Sequence, residues 1–374
     1  MTRRRFGLIG TGFIGRAHAI ALNAVGAVFV EREAPVCELL ADSSPEAAAQ
    51  AARALGFARS TGDWRDVVAD PAVDVVDICT PNFLHREMAL AAIAAGKHVY
   101  CEKPLALTAR EAHEIAAAAD AAGVTHMMGF NYVCNPLLQV ARDMIAAGEL
   151  GEVYAFRGSY FEDYMSDPAA PWTWRCKREL AGSGALADLG SHLINLGHLL
   201  LGGIARVQGS LQLVHATRRD PASGEWRAVE NEDIARALVE FEGGVPGSFE
   251  ISRVATGYKC GLACTVFGTR GTIEFDQERM NELRWYDAAG PAARSGFRTI
   301  LAGPEHPDYR PFCPAPGHGL GYNDLKVIEV RNLLRALDGE ARAWPDFHEG
   351  ARVQRVMEAI EQSAATRSWT EIPA

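Results

Sequence analysis

The stretch RFGLIGTGFIG, residues 5–15, decides the first half of the fold. It opens with an apolar run typical of a buried strand, and FIGRAHAIALNAV (13–25) continues with the pattern of a helix. The residues that match the spacing GxGxxG are Gly10, Thr11, Gly12, Phe13, Ile14 and Gly15. Gly10 permits the turn, Gly12 lets the backbone approach a pyrophosphate, and Gly15 lets the helix pack on the strand. This context predicts a dinucleotide site at the helix N-terminus, and the alternative is a plain βα turn.

The first third of the chain alternates short apolar runs with alanine-rich helical patterns. In one of these helices Ser44 is the expected N-cap, Pro45 takes the first helical position and Gly56 ends the helix. Strands that alternate with helices of this length favour parallel βαβ units. We therefore predict an α/β Rossmann domain with a doubly wound parallel sheet over residues 1–132.

After Asn135 the pattern changes to long strands of alternating polarity, joined by glycine-containing turns. These strands are EVYAFRGSYFEDY (152–164), EDIARALVEFEGG (232–244), VPGSFEISRVA (245–255), CGLACTVFGT (260–269) and GTIEFDQ (271–277). The pattern predicts an α+β domain over residues 133–374, with a large open, mainly antiparallel sheet that serves substrate binding and oligomerisation. Amphipathic helices at 322–338 and 348–366 close the chain and are candidates to pack back on the Rossmann domain. The Gly- and Pro-rich piece 287–321 is expected to be irregular, and either covers substrate or contacts a subunit.

Composition excludes several kinds of partner. The formal net charge of −10 argues against nucleic acid, whose binding needs a basic surface. No apolar run approaches the ~18 residues of a membrane helix. The eight cysteines form no CxxC pair and most lie in apolar surroundings, so we expect reduced thiols. Cys260 and Cys264 lack the second pair of ligands that a zinc site needs, and we predict no metal.

The N-terminal TRRRFGL (2–8) resembles a twin-arginine export signal. The apolar stretch after the arginines already contains the glycine loop, which cleavage would remove. We therefore interpret Arg3 to Arg5 as the solvated start of the first strand and expect a cytoplasmic protein.

Asp42 follows the second predicted strand, where an acid can bind the adenosine ribose hydroxyls and repel a 2′-phosphate. It lies farther from the glycines than is usual because the loop GAVFVEREAP (26–35) intervenes. Ser43, rather than an arginine, comes next. These features favour NAD over NADP, whereas an ordinary solvated acid at this position would leave the choice even.

Two later strands end in the polar motifs TPN (80–82) and CEKPL (101–105). Open α/β sheets bind ligands at the carboxyl edge of their strands, so these motifs are candidates for the cofactor site. The candidate residues at this edge are Thr80, Pro81, Asn82, Glu102, Lys103 and, in GFNY (129–132), Asn131. Farther along, GSGALADLGSHLIN (182–195) holds Asp188 and His192 four residues apart, which puts both on one face of a helix.

Together these motifs resemble the Gfo/Idh/MocA oxidoreductase family, whose members have a Rossmann domain and an open-sheet second domain. The resemblance covers essentially the whole chain and includes TPNFLH (80–85), EKP (102–104), GSGALADLGSHLINLGHLL (182–200) and the final helices. It implies a dehydrogenase that acts on a secondary hydroxyl of a sugar or cyclitol. It also adds His85 to the cofactor-side candidates, with a solvated helix-start histidine as the alternative. The family often has an acid three residues after the histidine, and this chain has Asn195 there.

Three further stretches look most like the levoglucosan dehydrogenase branch of that family. They are FRGSYFEDYMSDPAAPWTWR (156–175), GFRTILAGPEHP (296–307) and GLGYNDLKVIE (319–329). Within the first of them, Tyr160 is a substrate candidate. Trp174 and Arg175 offer an aromatic face and a bidentate donor, which suit either a hydroxyl-rich ligand or an interface.

The resemblance implies catalytic roles for Lys103, Asp188 and His192. His192 would be the general base that takes the hydroxyl proton as hydride leaves the carbinol carbon. Asp188 would hold a neighbouring hydroxyl or orient the imidazole, and Lys103 would donate to the reacting oxygen and help to fix the nicotinamide ribose. Asn131 would contact nicotinamide or substrate. The alternative for Asp188 and His192 is a buried ion pair that fixes the helix on the sheet.

We therefore expect an NAD-dependent dehydrogenase of a sugar, an anhydrosugar or a cyclitol. The alternatives are an NAD-dependent glycoside hydrolase without net redox and a non-enzymatic sensor that binds NAD. The open face of the predicted meander sheet favours a homodimer or homotetramer that covers it.

Overall fold

The computed structural model describes residues 3–30 and 33–373, which divide into two compact units. The first unit comprises the described residues up to 134 together with 321–351. The second comprises 135–320 and the described residues from 352 onward. The sequence analysis placed 321–351 in the second domain and named the final helices as candidates to pack back on the Rossmann domain, because an amphipathic pattern shows that a helix packs on a core but not which core.

The described strands follow one another in this order along the chain: β1 Arg5–Ile9, β2 Val36–Ala41, β3 Arg59–Thr61, β4 Val75–Ile78, β5 His98–Glu102, β6 His126–Gly129, β7 Val153–Phe161, β8 Ile204–Gln212, β9 Thr217–Arg219, β10 Trp226–Ala228, β11 Ile234–Phe241, β12 Pro246–Ser252, β13 Gly261–Gly268, β14 Gly271–Asp276, β15 Glu282–Asp287, β16 Arg298–Leu301 and β17 Thr370–Glu371. The strand β16 lies inside the stretch that the sequence analysis expected to be irregular. It pairs with β15 and forms one edge of a sheet.

The described α-helices are α1 Phe13–Val28, α2 Pro45–Leu55, α3 Trp64–Ala69, α4 His85–Ala94, α5 Ala109–Ala122, α6 Pro136–Ala146, α7 Arg178–Ala181, α8 Ser191–Leu201, α9 Tyr322–Leu337 and α10 Phe347–Thr366. A π-helical turn, Leu186–Gly190, leads directly into α8. No helix in the described ranges has the length and apolar character needed to cross a bilayer.

The first unit is built on a six-stranded sheet with the order β3-β2-β1-β4-β5-β6. Every neighbouring pair in it is parallel, which confirms the predicted doubly wound Rossmann sheet. Its central strands are apolar because helices cover both faces, and Phe6, Leu8 and Val76 are fully buried. The carboxyl ends of β1, β4, β5 and β6 therefore lie along one edge of the sheet.

Local sequence signals set the turns of this unit as predicted. The Ser44 hydroxyl accepts the N–H of Ala47 at 3.2 Å, and Gly56 ends α2 in the left-handed conformation. At the first turn Gly10 has φ +94°, and a Cβ on Gly15 would lie 2.1 Å from the Gly10 carbonyl oxygen. The glycines are therefore required where β1 meets α1.

The second unit contains a nine-stranded sheet with the order β16-β15-β14-β13-β7-β12-β11-β8-β17. Its pairs are antiparallel except that β7 runs parallel to β12. The prediction of an open, mainly antiparallel sheet is confirmed. Along β11 the buried Ala235, Ala237 and Val239 alternate with side chains such as the exposed Leu238, so one face of the sheet is covered within the unit.

Candidate active site

Asp42 lies against the glycine loop at the end of β2. Its Oδ2 accepts the backbone N–H of Thr11 at 3.1 Å and also the Thr11 hydroxyl, and its Oδ1 accepts the N–H of Ser43 at 2.6 Å. Partial burial disfavours the charged form, but these hydrogen bonds outweigh it and hold the pKa of Asp42 below its ordinary value. The carboxylate is therefore an ionised acceptor fixed beside the loop.

The glycine loop leaves room for a ligand beside its backbone. Apart from Gly12 itself and its neighbours along the chain, no described atom lies within 4 Å of where a Cβ on Gly12 would be. Phe13, 77% exposed, follows it, and its ring centroid lies 5.7 Å from that of Tyr322 at the start of α9. The Tyr322 ring centroid in turn lies 6.0 Å from that of Tyr132. The sequence analysis missed both tyrosines, because nothing in their local pattern ties them to the loop.

His85 holds two loops of the sheet edge together. It is fully buried, with Nδ1 2.8 Å from the carbonyl oxygen of Pro104 and Nε2 2.8 Å from that of Thr80. Burial lowers the pKa of this imidazole. Each ring nitrogen lies against a backbone carbonyl oxygen, and the neutral imidazole donates to one of the two, so His85 has a supporting position between TPN and EKP. Asn82 opens the short helical turn that leads from TPN into α4.

Lys103 follows β5 and is partly buried, and its backbone N–H lies 3.2 Å from Oε2 of Glu102. Glu102 itself is buried and points away from solvent. Its Oε1 accepts from Lys326 Nζ at 2.6 Å and lies 2.9 Å from His18 Nε2. Glu102, predicted as a cofactor contact, is thus the acceptor in a buried ionic network.

That network extends through the centre of the first unit. His18 Nδ1 lies 2.8 Å from Asp77 Oδ1, and Lys326 Nζ lies 2.8 Å from Glu329, which also accepts from Tyr100. Burial disfavours every charge here, yet Lys326 and His18 outweigh it and bring the pKa of Glu102 below its ordinary range. Glu102 and Glu329 raise the pKa of Lys326 correspondingly. The network links α1, β4, β5 and α9, and the sequence analysis did not anticipate it.

Asn131 lies in the helical turn that follows β6. It is 2% exposed, and its Nδ2 has no hydrogen-bond partner among the described residues. A buried donor without an acceptor is costly, and such atoms recur where a ligand completes the bond. The side chain is therefore suited to donate to a bound molecule.

In the second unit the stretch 182–195, for which a helix is expected, takes a different form. Asp188 lies in the π turn Leu186–Gly190, and His192 is the second residue of α8. A π turn is wider than an α turn, so the four-residue spacing does not stack these side chains as on a regular α-helix. π turns of this kind are frequent at functional sites.

Asp188 is held by two side chains that reach the same carboxylate oxygen. The Tyr164 hydroxyl donates to Oδ2 at 2.7 Å, and Arg175 Nε lies 3.6 Å from it. The Arg175 guanidinium lies over the Trp174 ring at 4.5 Å. The structure thus brings together Trp174, Arg175 and Asp188, which the sequence analysis singled out separately, and adds Tyr164.

His192 is 7% exposed, and its ring centroid lies 6.1 Å from that of Tyr160 on β7. The Tyr160 hydroxyl donates to Glu162 Oε1 at 2.9 Å. Tyr160 therefore packs beside His192 with its hydroxyl engaged by a carboxylate.

Two groups of side chains in the described residues have the composition of a metal site. In the group His18, Asp77 and Cys79, both ring nitrogens of the histidine bond carboxylates. In the group Asp120, His126 and His348, Nδ1 of His126 accepts the N–H of Phe347 at 3.1 Å. A metal-bound histidine usually donates from its second nitrogen, so neither arrangement favours a metal. The eight cysteines are free thiols.

Comparison with known proteins finds similarity over the whole length of the chain. Residues 4–130 match the family described as "Oxidoreductase family, NAD-binding Rossmann fold", and residues 138–274 match the "GFO/IDH/MocA C-terminal domain". The levoglucosan dehydrogenase of Pseudarthrobacter phenanthrenivorans is 38% identical over 387 aligned residues, which cover 100% of this chain and 99% of that protein.

Solved structures agree with this match. A structure of levoglucosan dehydrogenase in complex with NADH and levoglucosan superposes with a TM-score of 0.97 at 38% identity, covering 100% of both chains. An NAD-binding oxidoreductase from Klebsiella pneumoniae gives a TM-score of 0.96 at 44% identity, again with 100% of both chains covered. The predicted fold class and the predicted NAD cofactor are confirmed. The chain belongs to the Gfo/Idh/MocA family of oxidoreductases.

Proposed function

We propose that the protein is an NAD-dependent dehydrogenase that oxidises a secondary hydroxyl of a sugar, with an anhydrosugar of the levoglucosan type as the first candidate and a cyclitol as the second. The observation that carries the proposal is the carboxylate of Asp188, held by Tyr164 and Arg175 four residues before His192. Such a group suits a ligand made of hydroxyls. The full-length similarity to a levoglucosan dehydrogenase supports the same substrate class.

The first unit has the residues that would hold NAD, which accepts the hydride when it is bound. The open backbone at Gly12 and the N-terminus of α1 suit the pyrophosphate. The ionised Asp42 suits the adenosine ribose hydroxyls and disfavours the 2′-phosphate of NADP. We assign further cofactor contacts to Phe13, Ile14 and the motif TPN (80–82). Lys103 and Asn131 are assigned contacts with the nicotinamide end of the cofactor. His85 and Glu102 act as supports, because their polar atoms bond the protein.

We assign the proton chemistry to Lys103 and His192. We assign to the imidazole of His192 the removal of the hydroxyl proton, and to the ammonium of Lys103 a hydrogen bond that stabilises alkoxide character. Asp188 accepts from a neighbouring hydroxyl and so selects the carbon that reacts. Trp174 and Tyr160 supply apolar area against the sugar ring, and Arg175 supplies a donor.

The test is NADH formation, followed by absorbance, with a panel of levoglucosan, pyranoses and inositols. We expect turnover in the wild type and at least a hundredfold loss in His192→Ala. His198→Ala, which removes an imidazole from the same helix, is the matched control and should retain turnover. If no panel member exceeds the His192→Ala background, the proposal is wrong. Release of sugar from a glycoside without NADH would instead indicate the hydrolase.

We also propose that the protein is cytoplasmic and assembles as a homodimer or homotetramer through the uncovered face of the nine-stranded sheet. Leu238 on this face is 52% exposed. Cross-strand ion pairs lie beside it, including Arg236 with Glu250 at 3.0 Å and Arg206 with Glu240 at 2.6 Å. A face of paired charges around apolar side chains suits a self-complementary contact.

A further inference from the structure

A single buried residue accepts three consecutive backbone N–H groups at the entry to the π turn. Oε1 of Glu232 accepts the N–H of Gly184 and the N–H of Leu186, each at 2.8 Å. The Glu232 carbonyl oxygen accepts the N–H of Ala185 at 3.0 Å. The first N–H groups of a helical segment have no partner within the helix, and here one side chain and one carbonyl supply it.

The contact between these two segments is too close for adjustment. A Cβ on Gly184 would lie 2.0 Å from the carbonyl oxygen of Glu232. The chain therefore enters the turn at a fixed point.

The residues on either side of Glu232 are also fixed by hydrogen bonds, one of which reaches the backbone of Arg175. Asn231 Nδ2 donates to the Arg175 carbonyl oxygen at 2.8 Å. Buried Arg253 donates to the Asn231 carbonyl oxygen at 3.2 Å and to Asp233 Oδ1 at 2.9 Å. Asn231 and Asp233 are thus fixed by Arg253, and this segment supports the chain on which Arg175 and Asp188 lie.

We propose that Glu232 is a positioning residue that selects the π turn and thereby sets the direction of Asp188 relative to His192. The π-helix is rare beside the α-helix, so a π turn needs contacts from its surroundings, and here Glu232 supplies them at its entry. Without the oxygen of Glu232 the segment relaxes toward an α-helical path, which rotates Asp188 about the helix axis. Glu232 acts through the backbone of 184–186, and the inference rests on the proposed function because it takes Asp188 and His192 as the groups that act on the sugar.

The buried carboxylate of Glu232 supports the π turn, but burying its charge costs folding stability. Burial raises the pKa of Glu232, against the hydrogen bonds from Leu186 and Gly184 and the positive charge of Arg253. A glutamine at 232 would keep an oxygen acceptor without the buried charge. Glu232→Gln is therefore expected to fold and to preserve the turn.

The experiment compares Glu232→Ala with Glu232→Gln, using levoglucosan as the probe substrate. We expect Glu232→Ala to lower kcat by about 10- to 100-fold, since misplacement by about 1 Å costs that much. NADH affinity should stay within about twofold, because Glu232 and the NAD-binding loop lie in different units. Glu232→Gln should recover most of kcat. Glu230→Ala is the matched control, because Glu230 Oε2 accepts the N–H of Arg178 at 2.9 Å but touches no residue of the π turn.

Hydrogen–deuterium exchange supplies a readout that does not depend on turnover. In Glu232→Ala the amides of residues 184–192 should exchange at least tenfold faster, while those of β13 and β14 should not change. If Glu232→Ala folds poorly, Glu232→Asp, which withdraws the carboxylate by one methylene, replaces it in both measurements. The inference is overturned if exchange over 184–192 is unchanged, or if Glu232→Gln is as impaired as Glu232→Ala. A wild type that oxidises no sugar would instead contradict the proposed function and leave the exchange result to decide this inference.

Discussion

Lys326 Nζ lies 2.6 Å from Glu102 Oε1, and the two residues are 224 positions apart in the chain. Both side chains are buried, the lysine completely and the glutamate to within 6%. Glu102 immediately precedes Lys103, so a charge pair in the core of the first unit fixes the start of the EKP loop. The arrangement explains why a glutamate at the end of β5 faces inward, and it supports several quantitative expectations.

Removing the lysine takes the cation away from Glu329 and leaves Glu102 with the His18 imidazole alone. We expect Lys326→Met to lower the free energy of unfolding by about 3–5 kcal/mol, as is typical when one partner of a buried pair is deleted. Urea unfolding followed by circular dichroism measures it. The double variant Lys326→Met with Glu102→Gln should recover at least a third of the loss. If Lys326→Met were as stable as the wild type, the ion pair between Lys326 and Glu102 would not contribute to stability.

Acid should destabilise the first unit through Glu102. Its pKa lies below the ordinary value of 4.5 in the folded protein, so its contribution to stability is complete above that value and is lost as the pH falls toward the folded pKa. We expect the free energy of unfolding to fall with pH below 4.5 in the wild type and less steeply in Glu102→Gln. Parallel curves for the two proteins, measured by urea titration at several pH values, would contradict this assignment.

Asp42 should set both the affinity for NAD and the discrimination against NADP. We expect Asp42→Ala to weaken NADH binding about tenfold, because the ribose loses a charged acceptor, and to weaken NADPH binding less or not at all. Fluorescence titration with both cofactors measures the ratio. Glu87→Ala, which removes an exposed acid on α4, is the control. An unchanged ratio of the two affinities would exclude Asp42 from the ribose site.

The unpartnered amide of Asn131 predicts opposite effects on stability and activity. Asn131→Leu removes a buried donor without creating a cavity, so we expect the Tm of the ligand-free protein to stay the same or rise. Sugar oxidation should fall at least tenfold in kcat/KM. A Tm lower by more than a few degrees would show that Asn131 is a structural residue.

Charge introduced on the uncovered sheet face should disrupt assembly. Leu238→Arg places a second cation beside Arg236 on β11 and beside its own copy in a symmetric contact. Sedimentation velocity should show the oligomer shifting to a species of 40.4 kDa. Ile20→Arg alters an exposed apolar residue of the first unit and should leave the distribution unchanged. A wild type that sediments only as the monomer would contradict the proposed assembly.

The sequence predicted those parts of the fold that local physics determines. The glycine spacing placed the β1–α1 turn, and Ser44, Pro45 and Gly56 placed α2, because caps and left-handed turns depend on a few adjacent residues. Alternation of polarity predicted the open sheet. The candidate acids and bases could be chosen because few residue types can move a proton.

The features that the sequence did not predict depend on distant partners or on irregular geometry. Lys326 has the pattern of an ordinary helix residue, and only the tertiary fold brings it to Glu102. The π turn at Asp188 breaks the 3.6-residue period on which helix prediction relies, and Glu232, which fixes it, follows 44 positions after the aspartate. Tyr164 and Tyr322 lie in stretches that the sequence analysis quoted only for their resemblance to the family, and they meet their partners only in three dimensions.

The membership of residues 321–351 in the first unit has a consequence for biosynthesis. While the middle of the chain is being synthesised, the nascent Rossmann segment holds Glu102 and His18 without Lys326, the second cation of the finished network. Strand β8 likewise lacks its neighbour β17 until residues 370 and 371 have been made. Both units therefore depend on residues after 320 and can complete their packing only once these have left the ribosome.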